Sequence, residues 1–254
     1  MEGTIMDMNE YYNGVIEEAL EGFKRANNTD QVEQKIYEVP AATWEINVVR
    51  GKVLEKATIS RVTLDTKHPV TGDDTHFDAL QSKVYPLNPK IPVLIFIIEH
   101  MVSGGKTFFS GMMDVIPAVP IEEDLRFLGA EMKKVAEKHG EDYEALRQKG
   151  STIFKLEQWD KPINAGVGIH NPTEEERMDM IKEEGQVWLR SYLNVVEKRD
   201  HEPYTDEDVN QMNSVRARIL EYYYLGDISL PEAMKLGIPL EAINLMLIAP
   251  TIHY

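Results

Sequence analysis

Cysteine is absent from the 254 residues. Disulfides, thiolate metal sites, iron–sulfur clusters and thiol nucleophiles are thereby excluded. Any metal must be held by histidine and carboxylate, and any nucleophile must be Ser, Thr, Lys, Asp, Glu or water. Basic residues are scarce as well: 27 Lys and Arg face 43 Asp and Glu, a net charge of −16 with His neutral. That balance argues against nucleic acid as a partner, because phosphate contacts need clustered Lys and Arg. It also disfavours a strongly anionic ligand unless a local basic pocket overrides the global field. The most apolar run, Ile91-Pro-Val-Leu-Ile-Phe-Ile-Ile98, is far below the ~20 residues a membrane span needs. Met1–Glu10 carries acidic residues and no apolar signal stretch, so no membrane partner and a cytoplasmic location are expected. Repeats, low-complexity tracts and linkers are lacking, and residues 1–254 read as a single domain. At 43% hydrophobic and 28% charged residues, the composition is that of an ordinary folded protein.

The elements follow from periodicity. Val15, Ala19, Leu20 and Phe23 make an apolar stripe within a helix over residues 8–25. Trp44–Asp65 reads as two strands joined at Gly51, with β-branched residues in both. His68–Asp78 reads as an acidic loop, and Val84–Tyr85 and Val93–Glu99 as the next strands. Phe108–Phe109 continues the sheet, with Ser110–Pro120 irregular, and Ser103-Gly-Gly-Lys106 reads as a tight turn. Helices are predicted over Glu122–His139 and Asp142–Lys149, with a glycine-containing loop over Asn164–Pro172. Thr173-Glu-Glu-Glu176 has the form of a capping box opening a helix to about Lys198, and Thr205-Asp-Glu-Asp208 opens another to about Val215. Ile219–Leu225 and Ile243–Ile248 read as strands. Strands at both ends with helices between them predict an α+β fold with a large, mainly antiparallel sheet.

The order of several motifs resembles the oxygen-dependent coproporphyrinogen III oxidase family from about Thr43 to Pro250. Gly51-Lys-Val-Leu-Glu-Lys-Ala57 is similar to the family's G-x-V-F-E-K-A, and Tyr85-Pro-Leu-Asn-Pro-Lys-Ile-Pro92 to its H-P-R-N-P-x-V-P. Phe108–Pro117, ending Asp114-Val-Ile-Pro117, and then Pro120-Ile-Glu-Glu-Asp124 are similar to the family's stretch ending D-L-T-P and its P-x-E-E-D. Leu189–Arg199, Arg216–Tyr223 and Asn244–Pro250 resemble its L-P-x-Y-x-x-I-V-E-x-R, R-G-R-Y-V-E-F-N and I-L-M-S-L-P-P. The resemblance implies an antiparallel sheet sandwiched between helices, a homodimer, a small-molecule substrate and no organic cofactor.

The sequence departs from the family where the tetrapyrrole cleft would lie. The H-x-N-x-R strand falls on Ile95, Ile97 and Glu99, and the R-G-x-G-G loop on Ala165-Gly-Val-Gly-Ile169. The late G-G-R is replaced by Ile238-Pro-Leu240, and the family's histidine pair falls on Phe127 and Gly129. Asp114 is kept, behind Ser110-Gly-Met-Met113. A tetrapyrrole with four propionates needs arginine partners to offset carboxylate desolvation, and three family arginines are Glu, Ala and Leu here.

Family register would place Glu99 near Asp114 on one cleft. Two close carboxylates either share a proton or are neutralised by a divalent cation. His170, in the loop that would carry an arginine, would add an imidazole, and a Glu99, Asp114 and His170 set suits Mn²⁺, Zn²⁺ or Fe²⁺. Ser60 and Glu221 match family positions on cleft-facing strands, and Tyr222-Tyr-Tyr224 alternates across a strand so that at least one tyrosine faces the cleft; Ser60, Glu221 and Tyr223 would bind substrate. Glu99 at a strand end, His170 in a turn, His76 in an acidic loop and Asp114 each also have a plain structural reading. No G-x-S-x-G or H-E-x-x-H motif is present. The expectation is an enzyme of this fold that hydrolyses a small oxygenated cyclic compound, metal- or carboxylate-assisted, with Asp114 and Glu99 catalytic. The alternatives are oxygen-dependent oxidative decarboxylation of coproporphyrinogen III in haem biosynthesis, and non-catalytic binding of a small ligand.

Overall fold

A computed structural model describes residues 2–67, 72–174, 177–226 and 229–250. The first helix, α1 (Glu2–Asn27), buries Met8, Tyr12, Val15, Ala19 and Phe23, spaced by three or four residues as one helical face requires. Six strands follow in a meander: β1 (Glu33–Val39), β2 (Ala42–Val49), β3 (Leu54–Lys67), β4 (Asp74–Pro86), β5 (Val93–Ser103) and β6 (Lys106–Ile116). Two helices, α2 (Glu122–Lys138) and α3 (Tyr143–Gly150), precede β7 (Ile169–Glu174). The seven strands pair in chain order and every pairing is antiparallel. Gly104 and Gly105, at φ +57° and +78°, make the two-residue turn between the paired Ser103 and Lys106, a geometry that suits the sheet's twist and favours glycine at both positions. The chain ends with α4 (Met178–Arg199), α5 (Asp206–Leu225), α6 (Ser229–Lys235) and α7 (Leu240–Leu247).

Helices cover both faces of the sheet. On one face α1, α2 and α4 pack their buried Phe23, Leu128 and Trp188 against Leu94, Phe96 and Ile98 of β5. On the other, Ile219 of α5 and Ile243 and Met246 of α7 meet Trp44, Ile46 and Ile95. Burial on both faces explains why Val93–Ile98 is an unbroken apolar run and not an alternating one. Helix α4 is tied to this strand by Trp188 Nε1, which donates to Ile95 O at 3.0 Å, and by the Tyr192 hydroxyl, which donates to Pro92 O at 3.0 Å. The α+β class and the antiparallel sheet between helices are as expected.

Several boundaries differ. Residues 219–225 and 243–248, expected as strands, are helical: they fall mainly in α5 and α7. Met212, Arg216, Ile219 and Tyr223 are buried at helical spacing, so the β-branched and aromatic content that suggested strand is overridden by the α5 face. The Thr205–Asp208 capping box is formed, and its helix runs ten residues past Val215, to Leu225. Strand β4 begins at Asp74, within the expected acidic loop, whose residues 68–71 lie outside the described ones. Strand β6 extends through Ile116 into the expected irregular segment, and β7 occupies the end of the expected glycine loop. Thr173 lies in β7 and α4 starts at Met178; the remainder of that capping signal, residues 175–176, lies outside the described residues. Among the described residues no helix is long and apolar enough to cross a membrane.

Candidate functional site

The face of the sheet that meets α5 and α7 holds a cavity of about 710 Å³, within the range of small-molecule sites. Its floor includes Trp44 of β2, Phe77 and Gln81 of β4, Ile97 and Glu99 of β5, and Met112 of β6. These residues share a face because side chains alternate along each strand and paired residues project together. The roof is aromatic: Phe154, from the segment after α3, packs on Tyr222 of α5 with ring centroids 4.6 Å apart, and Tyr222 meets Tyr223 edge-on at 5.5 Å. Lys83 of β4 places its Nζ 4.6 Å from the Phe154 ring centroid and 5.6 Å from that of Tyr223, a cation–π contact beside the roof.

Glu99 is the one charged residue among the described residues that line the cavity. It receives a hydrogen bond from Ser110 Oγ to Oε2 at 2.5 Å, its sole hydrogen bond among the described residues. Burial pushes its carboxyl above the usual range, with the Ser110 hydrogen bond pulling the other way.

Asp114 lies on the same face but does not line the cavity. In the β5–β6 pairing Asp114 sits opposite Ile95 and Ser110 opposite Glu99, four residues along the strands, or about 13 Å. Its carboxylate faces the loop before β7. Asn164 Nδ2 donates to Oδ2 at 2.7 Å and the Gly166 amide at 2.8 Å, while the Val115, Val167 and Gly168 amides donate to Oδ1. Burial raises its pKa against the pull of these donors. The loop it holds runs so close to β6 that a Cβ on Gly168 would stand 1.7 Å from Met113 O, so no other residue fits.

His170 pairs with Met112 across β6–β7 and packs its Cβ where a side chain on Gly150 would intrude. Burial, with Lys149 adding to it, lowers its pKa and favours the neutral ring. It does not line the cavity either. The expected metal set of Glu99, Asp114 and His170 is thus corrected: strand register separates the two acids, and Asp114 is occupied by the loop amides. Among the described residues no group of three His, Asp or Glu side chains is arranged to hold a metal ion.

Of the expected substrate-binding residues, Tyr223 lines the cavity. Ser60 is fully buried and donates to Gln81 O at 3.3 Å within the β3–β4 ladder. Glu221 accepts from Gln158 Nε2 at 3.1 Å and lines a separate groove of about 1100 Å³ between α5 and α7. His76 lies in β4 with Nδ1 2.9 Å from Asp65 Oδ1, and His100 is on the opposite face from Glu99, stacked on Phe109 at 5.1 Å. Trp44, Gln81 and Phe154 were not anticipated. Phe154 sits in an irregular segment with no periodicity to mark it, whereas Lys83 between buried Ser82 and Val84 is a legible anomaly.

A helix-roofed cavity on an antiparallel sheet, lined mainly by apolar and aromatic residues with Glu99 its one charged group among the described residues, defines an α+β protein with a site for a small organic molecule. The family model described as Coproporphyrinogen III oxidase matches residues 8–254, and the chain belongs to that family. It is 26% identical over 193 residues to an oxygen-dependent coproporphyrinogen-III oxidase of Coxiella burnetii, covering 71% of this chain and 62% of the relative. A Prochlorococcus marinus oxidase of the same name is 23% identical over 174 residues, 57% of this chain and 50% of the relative. The mitochondrial enzyme of Mus musculus is 24% identical over 201 residues, 72% of this chain and 44% of the relative. The chain thus spans between about two fifths and three fifths of the length of these relatives. Membership in a family named for an oxidase overturns the expected metal- or carboxylate-assisted hydrolase, and with it the roles of Asp114 and Glu99 as hydrolytic catalysts.

Proposed function

We propose that the chain catalyses oxygen-dependent oxidation of a porphyrinogen, with oxidative decarboxylation of a propionate side chain, and that the cavity under α5 and α7 takes the substrate. The family match over residues 8–254 carries this reading. The cavity supports it: about 710 Å³ with flat aromatic walls at Trp44, Phe154, Tyr222 and Tyr223 suits a large ring system. In such a reaction a propionate loses CO₂ and two hydrogens to become a vinyl group, and the two electrons and two protons pass to dioxygen as hydrogen peroxide. No step requires a metal ligand set or a thiol from this chain.

The test is aerobic incubation of untagged protein with coproporphyrinogen III and with porphyrinogens bearing two propionates. Oxygen uptake is followed, and the oxidised products are separated by mass. Vinyl-bearing products above the non-enzymatic background support the reading; their absence for every porphyrinogen, beside an active control enzyme, overturns it. The homodimer belongs to the same reading by family resemblance, and light scattering at twice the chain mass is the expected outcome.

A further inference from the structure

Oxidative decarboxylation of a propionate leaves one proton to be supplied inside the cavity. Near neutral pH the propionate is already ionised, because such a carboxyl loses its proton at about pH 4. As CO₂ leaves, the electrons of the broken C–C bond become the new double bond, and a hydrogen departs from the ring-side carbon with its electron pair. Dioxygen takes up that hydride equivalent as the hydroperoxide anion. Hydrogen peroxide therefore needs one further proton, which the substrate carboxylate no longer carries. An anion forming between apolar walls is costly unless a donor stands beside it.

Glu99 is the acid on those walls. Register sets it in one row with Val62 of β3, Ala79 of β4 and Ser110 of β6, and Ile97 and Met112 of the next row share its face. No Lys, Arg or His is among the described lining residues, from the strands or from the helices above. Lys83 stands four residues along β4 from Ala79, about 13 Å, against the rings of Phe154 and Tyr223 and outside the lining. Arg61, Asp78 and His100 belong to the opposite face of the sheet.

The hydrogen bond from Ser110 Oγ to Oε2 at 2.5 Å fixes the carboxyl. Oε1 accepts no hydrogen bond among the described residues, which leaves it for the cavity that Glu99 lines. A proton on Oε1 can be given to a ligand atom, and the Ser110 hydroxyl then steadies the carboxylate left behind. Burial favours the neutral acid and holds its proton above the range of an exposed glutamate. In that form Glu99 also admits a substrate carboxylate, to which it donates.

Resting on the oxidase reading, we propose that Glu99 is the general acid of this chain: its Oε1 hydrogen protonates the hydroperoxide anion as it forms, and solvent reprotonates the carboxylate before the next turnover.

The test follows oxygen uptake and vinyl product from coproporphyrinogen III, from mildly acidic to alkaline pH, in the parent and three variants. Parent kcat is level at low pH and falls as pH rises through the titration of Glu99. Glu99→Gln keeps the shape without the acidic proton; kcat is expected to fall about a hundredfold and to lose this pH limb, with KM within about threefold of the parent. Glu99→Asp restores part of kcat. Ser110→Ala removes the hydrogen bond that pulls the carboxyl down, so its limb moves to higher pH. A purely structural role for Glu99 moves neither limb. Infrared difference spectra give a readout without turnover: near neutral pH the parent has a protonated-carboxyl C=O band that Glu99→Gln lacks.

Full kcat in Glu99→Gln, the parental limb in that variant or in Ser110→Ala, or the same infrared bands in parent and Glu99→Gln overturns the proposal. With the parent turning over, each of these leaves the oxidase reading standing. A parent that makes no vinyl product from any porphyrinogen refutes the oxidase reading, and the acid role falls with it.

Discussion

A single proton on Glu184 would complete a buried pair that is otherwise half satisfied. Asn171 Nδ2 of β7 donates to Glu184 Oε2 of α4, yet Asn171 Oδ1 and Glu184 Oε1 are both buried without partners among the described residues. A hydroxyl hydrogen on Oε1, donated to Oδ1, would satisfy both atoms and complete an acid–amide pair. Burial pushes the Glu184 carboxyl up to about 8, opposed by the Asn171 hydrogen bond and by Arg177, with Glu141 and Glu183 adding to the rise. The sign of the pH effect follows. Between the ordinary value of 4.5 and about 8 the folded chain keeps a proton that the unfolded chain has released. Stability is therefore greatest below this window and falls through it, by up to about 1.4 kcal/mol per pH unit. Glu184→Gln mimics the protonated acid in shape and donors. It is expected to match the parent near pH 4.5 and to exceed it increasingly toward pH 8, in urea unfolding across that range. Parallel pH profiles for the two proteins would falsify the shared proton.

At the scale of elements, Asp114 works as a clamp between β6 and the loop at 164–168. Replacing it with alanine removes the acceptor of the Gly166 amide and of one Asn164 Nδ2 hydrogen, the other still donating to Gly150 O at 3.0 Å, and each such loss is worth roughly 1–3 kcal/mol. Asp114→Ala is expected to lower unfolding free energy by about 3 kcal/mol in denaturant titrations. A variant as stable as the parent would remove the clamp. The same aspartate shows what could be read beforehand: its identity was marked by the motif around it, but its partners were not. Strand register decides which of two same-face acids share a site, and a loop's hydrogen bonds have no period in the sequence. Amphipathic α1, the β2–β3 pair and the apolar β5 run were legible from spacing alone. Helices α5 and α7 were not, because Tyr222-Tyr-Tyr224 and the Ile243–Ile248 run favour strand locally, and only packing of Ile219, Tyr223, Ile243 and Met246 on the sheet decides for helix. The two tyrosines of the cavity's aromatic roof, Tyr222 and Tyr223, lie in that segment. Placing the tyrosines on a strand allowed one of each neighbouring pair to face the cleft, whereas the helix presents both Tyr222 and Tyr223 and leaves Tyr224 exposed.

For the whole molecule, the charge of −16 acts over distances that no single side chain covers. Ion pairs such as Arg199 with Asp124 at 2.8 Å and Arg190 with Glu18 use up cations locally, leaving the acidic excess as a field felt by any approaching anion. Salt screens that field with a length of about 10 Å at 0.1 M. Raising sodium chloride from about 0.02 M to about 0.5 M, a change that shortens the screening length severalfold, is therefore expected to strengthen binding of coproporphyrin, which carries four carboxylates, by a few-fold in fluorescence quenching of the whole protein, while etioporphyrin, which carries none, shifts far less. An equal response of the two porphyrins to salt would mean that the acidic excess does not act on the ligand.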